Sequence, residues 1–176
     1  MEEAVIRPAV AADAERLSEF AERVFDEVFG PQNDEGDMAS YLTDAFSPDI
    51  QRAEITAPGS IVLLAERAGD KTIEGYLHIA PARTPGCVTG PSPLELKRLY
   101  VEPRLHGRRI GKRLLDDGIV RARAAGATTL WLGVWENNTK AQAFYTREGF
   151  TRVGDHPFVL GSDTQTDWIM QRSISG

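Results

Sequence analysis

Residues 94–115, LELKRLYVEPRLHGRRIGKRLL, decide the fold of this chain. Leu96, Leu99, Tyr100 and Val101 make an apolar, β-leaning run, and Pro103 stops it because proline has no amide hydrogen to give to a ladder. Gly107 and Gly111 then bracket two arginines, while Ile110, Leu114 and Leu115 open a helical apolar stripe. A strand that turns through glycines into a helix leaves backbone N–H groups unpaired at the positive end of the helix dipole. That is a phosphate site made mostly of main chain. A tight turn with no ligand reads the same way, and the pattern fits neither the three-glycine dinucleotide fingerprint nor the Gly-Lys-Ser/Thr nucleotide loop. The charges tip the balance. Arg108, Arg109, Lys112 and Arg113 gather at this helix start in a chain whose net charge is -6.

The 176 residues fit a single domain, 1–176, with one core. A hydrophobic fraction of 41% and a charged fraction of 26% are those of an ordinary globular protein. The sequence pI near 5.1 argues against nucleic acid or an anionic membrane as partner. Cys87 is the lone cysteine, so an internal disulfide and a thiol metal cluster are both excluded, and no metal is expected. A reducing cytoplasm is the expected location. The opening MEEAVIRPAV lacks the shape of a signal peptide, and no run approaches the ~20 apolar residues of a membrane span.

Outward from the central stretch, the chain alternates strands and helices. Residues 4–7 read as a short strand ended by Pro8, and Asp13 as the N-cap of a helix carrying Leu17, Phe20, Ala21, Val24, Phe25 and Val28. Gly30 and Pro31 close that helix; an acidic loop with Asp34, Glu35 and Asp37 follows, then helices over 38–46 and from Pro48 to about Ala57. Residues 60–67 and 72–80 form a hairpin, and the Pro- and Gly-rich segment 81–93 is a surface loop. After Gly126 ends the central helix, 129–134 is a strand apolar on both faces, as a parallel strand inside a sheet is. Asn137 or Asn138 caps a helix that stops at Gly149, and strands over 150–159 and 166–171 finish the chain. The sum is a mixed α/β sandwich.

These residues carry a family likeness. The stretch LYVEPRLHGRRIGKRLL, followed by NNTKAQAFYTREGF, resembles the GCN5-related N-acetyltransferases, the GNAT superfamily. Their second signature, Asn-x-x-Ala-x-x-Phe-Tyr-x-x-x-Gly-Phe, is intact at Asn138, Ala141, Phe144, Tyr145, Gly149 and Phe150. Their first, Gln/Arg-x-x-Gly-x-Gly/Ala, departs twice: His106 replaces the usual Gln/Arg and Arg109 the usual middle glycine, while Gly107 and Gly111 are kept. An arginine there calls for an ordinary helical backbone. The ending GVWENNTKAQAFYTREGFTRVGDHPFVLGSDTQTDWIM is similar to the bacterial branch that includes polyamine (spermidine/spermine) acetyltransferases.

The resemblance implies a GNAT-type twisted sheet, mixed but mostly antiparallel, with a splayed parallel central strand pair and helices on both faces. It implies acetyl-coenzyme A as cosubstrate, with backbone groups of Leu99, Tyr100 and Val101 along the pantetheine arm. The amides and cations of His106, Gly107, Arg108, Arg109, Ile110, Gly111 and Lys112 take the pyrophosphate, joined by Arg104. Asn138, Phe144 and Tyr145 complete the coenzyme site. Tyr145 is the candidate general acid toward the departing thiolate, the bland alternative being a core tyrosine beside Phe144. An alkyl ammonium near pKa ~10.4 must lose a proton before it attacks. Glu95 is the best candidate base, directly or through water, sharing a face with Lys97 and Leu99; otherwise it is one half of an ion pair. His78 and His156 are alternative bases, and Trp135 and Tyr41 read as packing. The expected activity is direct transfer to a primary amine, a polyamine or other small amine, with Asp34, Glu35 and Asp37 a charged lure for it. A protein N-terminus or lysine acetyltransferase and a non-catalytic coenzyme-A-binding regulator are the rivals. A homodimer is left open.

Overall fold

A parallel pair stands at the centre of the molecule, and everything else is antiparallel. The computed structural model describes residues 3–176. In chain order the elements are β1 (Val5–Pro8), α1 (Ala14–Phe29), α2 (Glu35–Phe46), α3 (Pro48–Thr56), β2 (Ile61–Glu66), β3 (Ile73–Ala80), β4 (Pro93–Val101), α4 (Ile110–Ala124), β5 (Thr129–Trp135), α5 (Thr139–Arg147), β6 (Thr151–Leu160) and β7 (Asp163–Ser173). They form a seven-stranded sheet in the order β1-β2-β3-β4-β5-β7-β6, parallel only between β4 and β5. No helix among the described residues is long and apolar enough to cross a membrane.

Strand alternation feeds two cores. Leu63, Leu77, Leu130 and Leu132 pack on one face against Leu114, Leu115 and Ile119 of α4 and Tyr145 of α5. Val62, Leu64 and Tyr76 pack on the other against Leu17, Ala21 and Val24 of α1, Met38 of α2 and Phe46. The expected helices on both faces are therefore present, α1–α3 on one and α4 and α5 on the other. Gly118 of α4 lies against β3: a Cβ there would sit 3.0 Å from both methyls of Leu77, so the helix seats closely only because none is present.

Two local expectations are corrected. The side chain of Asp13 does not cap α1; a short 3-10 turn, Ala11–Asp13, precedes the helix. Its buried carboxylate instead accepts hydrogen bonds from Arg7 at 2.8 and 2.9 Å, from Arg16 at 2.8 Å and from the Val10 amide at 2.8 Å. A paired buried charge outcompetes a cap. The second correction concerns β4. Its register against β3 slips between His78 and Ile79, which pair with Arg98 and Leu96, leaving Lys97 as a bulge. Leu99 therefore returns to the α4 face with Leu94 and Leu96, and Glu95 lies on the opposite face. Segment ends also move: α2 begins at Glu35, where the Asp34 carboxylate accepts from the amides of Gly36 and Asp37, and β7 runs from Asp163.

Candidate active site

The pairing of β4 with β5 covers only Pro93–Thr129, Leu94–Leu130 and Glu95–Trp131. Beyond Glu95, β4 continues to Val101 beside β3 and β5 continues to Trp135 beside β7, so the two strands diverge. A cleft of about 1010 Å³ opens in that divergence, bordered by β4, the loop into α4, α5, the β6–β7 hairpin and the aromatic face of α1.

One end of the cleft is cationic and lined with main chain. Gly107 takes φ 87° and Arg109 φ 63°, both left-handed. The ordinary helical backbone expected at Arg109 is not adopted: the arginine accepts the conformation that glycine takes freely, a cost of roughly 1–2 kcal/mol. The α4 ladder begins with the Arg113 amide donating to the Arg109 carbonyl at 3.0 Å, so the amides of Ile110, Gly111 and Lys112 lie ahead of it without an intrahelical partner. The Arg108 amide is committed elsewhere, to the Leu105 carbonyl at 3.2 Å, and its side chain is exposed. The Lys112 ammonium bonds Asp116 at 3.0 Å and Glu148 at 3.3 Å, and Arg104 sits 3.8 Å from Glu102. Arg109, Lys140 and Arg147 line the cleft and form no ion pair among the described residues. Lys140 and Arg147 escaped the sequence reading because a cation on an amphipathic helix carries no mark of the cavity it faces.

The loop is held from below. Buried Glu102 accepts from Arg23 of α1 at 2.7 Å, and its amide donates to the Glu74 carbonyl at 2.9 Å. Nε2 of His106 donates to the Val101 carbonyl at 3.1 Å, which fixes that nitrogen as the protonated one. His106 thus ties the loop back to the end of β4.

The intact second signature converges on the same cleft. Asn138 caps α5, its Oδ1 accepting from the Ala141 amide at 3.2 Å, and it borders the cavity. Phe144 lies within 3.8 Å of the point a Cβ on Gly111 would occupy, so the two signatures touch across α4 and α5. Tyr145 is buried between Phe144 and Phe150, with ring centroids 5.2 and 5.6 Å away, and it lines the cleft. Burial raises its phenol well above the ordinary value, which keeps the proton on the oxygen. The ring of Tyr100 points the other way, into the aromatic cluster of Phe25, Phe46 and Tyr76, so only its main chain can serve a carrier in the wedge.

The far end is aromatic. Phe25 stacks on Tyr41 with centroids 4.9 Å apart, Phe158 meets Tyr41 edge-on at 5.6 Å, and Phe29 meets Trp135 at 6.1 Å. All five line the cleft, so Tyr41 and Trp135 are walls as well as packing. Glu95 reaches the same space with Lys97 3.4 Å from its carboxylate, the ion pair being along the strand. Arg98, also at the cleft, pairs with Glu54 at 2.7 Å over the Phe46 ring. His78 is buried, hydrogen-bonded to Ser60 at 3.0 Å and pushed down by burial to about 3, a structural histidine. His156 and Asp167 are register partners on β6 and β7, and both border the cleft. Two of the three carboxylates of the acidic loop are spent on structure: Asp34 caps α2, and Asp37 accepts from the Ser162 amide at 3.0 Å and its hydroxyl at 2.8 Å, while Glu35 is exposed on the first turn of α2.

Comparison with known proteins agrees with this geometry. The model of the acetyltransferase (GNAT) family matches residues 22–150. The chain is 34% identical over 150 residues to an uncharacterized N-acetyltransferase of the pepI 3′ region in Lactobacillus delbrueckii subsp. lactis, covering 85% of this chain and 86% of that one. It is 31% identical over 164 residues to an uncharacterized N-acetyltransferase of Mycobacterium tuberculosis, covering 92% and 98%. Its fold superposes on the PaiA N-acetyltransferase of Thermoplasma acidophilum, crystallised with coenzyme A, with a TM-score of 0.79 at 22% identity, over 98% of this chain and 99% of that one. With strands parted over an amide-lined helix start and a family match spanning most of its length, the chain belongs to the GNAT family of acetyltransferases.

Proposed function

We propose that this protein transfers the acetyl group of acetyl-coenzyme A to a small primary amine, the polyamine class included, by direct attack with both substrates bound. The observation that carries the reading is the shared cleft: the parted strands β4 and β5 and the α4 amides open into one cavity, with cations at one end and aromatic walls at the other. Acetyl-coenzyme A supplies the acetyl group already activated as a thioester. The residues present fit it. Ile110, Gly111 and Lys112 offer amides, and Arg109, Lys140 and Arg147 offer unspent positive charge for phosphates. On its side away from β3, β4 has no strand partner past Glu95, and its main chain from Leu96 to Tyr100 offers a ladder for an extended arm.

Tyr145, its proton held by burial, gives that proton to the departing sulfur. Glu95 takes the first proton from the ammonium, so that the nitrogen lone pair can form the C–N bond as the C–S bond breaks. The second nitrogen proton restores Tyr145. One proton in total passes to solvent. A protein N-terminus is the second reading; the aromatic walls that Phe25 and Phe29 of α1 and Tyr41 of α2 give the far end suit a small acceptor better. Acetyl-coenzyme A is expected to raise Tm by mass action, and an amine is then expected to release free thiol. A protein whose Tm ignores acetyl-coenzyme A would exclude the reading.

A further inference from the structure

The carboxylates that border the cleft are not equivalent. Glu54 is paired with Arg98 at 2.7 Å, Glu95 with Lys97 at 3.4 Å and Glu148 with Lys112 at 3.3 Å. Asp167 is only 9% exposed, and its carboxylate forms no ion pair or hydrogen bond among the described residues. It points into the cavity: a Cβ added to exposed Gly133, on β5 past the point of divergence, would lie 3.1 Å from Asp167 Oδ2 and 3.5 Å from His156 Nε2.

Register fixes the face. Glu95 pairs with Trp131 in parallel, Trp131, Gly133 and Trp135 share a face by alternation, and Trp135 pairs with Asp167. Glu95 and Asp167 therefore stand on one face of the sheet, on either side of the gap between β4 and β5. Tyr41, Phe29, Trp135 and Phe158 wall the same end. A buried anion without a counter-ion is costly and calls for a cation, and aromatic faces favour one further. Among the described residues only one such anion borders the cleft, so the complement is a single positive charge on an apolar body. A polyamine carries several charges, and past Asp167 the cleft offers its other ones no second carboxylate free of an ion pair among the described residues.

We infer that Asp167 is the counter-ion for the acceptor's ammonium, and that the acceptor is a singly charged primary amine with an aromatic or apolar body. This inference rests on the acetyltransferase reading above. Burial lifts the Asp167 carboxyl to about 6, against the pull of His156, which faces it from β6; Tyr41 faces it from α2. The ionised form binds the ammonium. Affinity for the amine is accordingly lost as pH falls through about 6.

The test is thiol release by the whole protein with acetyl-coenzyme A and either 2-phenylethylamine or spermidine, in the wild type and in Asp167→Asn. The expected result is a lower KM for 2-phenylethylamine than for spermidine. In the variant that KM rises by about 30-fold or more, the loss typical when one partner of a buried charge pair is removed. The Tm shift given by acetyl-coenzyme A stays the same. If the variant fails to fold, the wild-type KM for 2-phenylethylamine between pH 5 and 8 (about 5 to 8, bracketing the Asp167 midpoint) carries the test, and it should climb toward the acid end. A preference for spermidine, an unchanged KM in the variant or a flat pH response overturns the inference and leaves the acetyltransferase reading standing. Absence of thiol release with every amine removes both.

Discussion

Gly107 and Arg109, two residues apart, share a left-handed backbone at φ 87° and 63°, although only the first is a glycine. The arginine bears strain at the cleft, which its side chain lines without an ion pair among the described residues. Arg109→Gly and Arg109→Ala both delete the charge, and only Gly relieves the backbone. The Gly variant is expected to be the more stable by about 1 kcal/mol, the reverse of the ranking inside a helix, because this N-cap position is left-handed. Both are expected to weaken acetyl-coenzyme A binding, and wild-type binding should fall with added salt. Denaturation midpoints and a salt series of Kd values check this; an Ala variant as stable as the Gly one would refute the strain.

Tyr145→Phe keeps the ring between Phe144 and Phe150 and removes one oxygen. Stability and acetyl-coenzyme A affinity are expected to hold, while kcat falls by ~10²-fold or more, the size of a lost general acid. Equal turnover in the two proteins would return Tyr145 to a packing role.

The elements around residues 94–150 were legible in the sequence because glycines and prolines punctuate them and apolar spacing names their type. The backbone of Arg109 was not, since a side chain there normally implies a helical φ and only the surrounding loop forces the other well. The bulge at Lys97 has no local signal either; it follows from β3 pairing, and it reverses which residues share a face with Glu95. Asp167 was invisible for a related reason. Nothing near it in sequence marks a site, and it meets the cleft only through the β5–β7 register and the absent side chain of Gly133. Asp34 and Asp37 mislead in the opposite sense, for their charges looked available and are consumed by an N-cap and by Ser162.

Glu95→Gln separates base catalysis from ion pairing. An amine is almost wholly protonated near neutral pH and needs a proton acceptor, whereas near pH ~10 it is already half free. The expected loss in kcat/KM is therefore greatest, ~10²-fold, at low pH and narrows as pH rises. A loss of the same size at every pH would leave Glu95 only the partner of Lys97.

Asp13 gives the fold a pH limit of its own. Its carboxyl is held well below the ordinary carboxylate range, first by the hydrogen bonds from Arg7 and then by the Val10 amide and Arg16. A folded-state pKa below the unfolded value of ~3.9 adds stability that is complete above that value and drains away as pH falls beneath it. Glu66, which accepts from Arg7 at 2.8 and 2.9 Å, shifts in the same direction and loses its contribution over the same acid range. Asp13→Asn is expected to cost about 2 kcal/mol at pH 7, a figure kept modest because Arg16 is partly screened by water. By about pH 2 the wild type will have lost much of that advantage, the rest draining away only at still lower pH, and the two unfolding curves should approach each other. Parallel curves from pH 7 down to pH 2 (about five units, spanning the ~3.9 midpoint) would show that the arginine pair contributes nothing through the charge of Asp13.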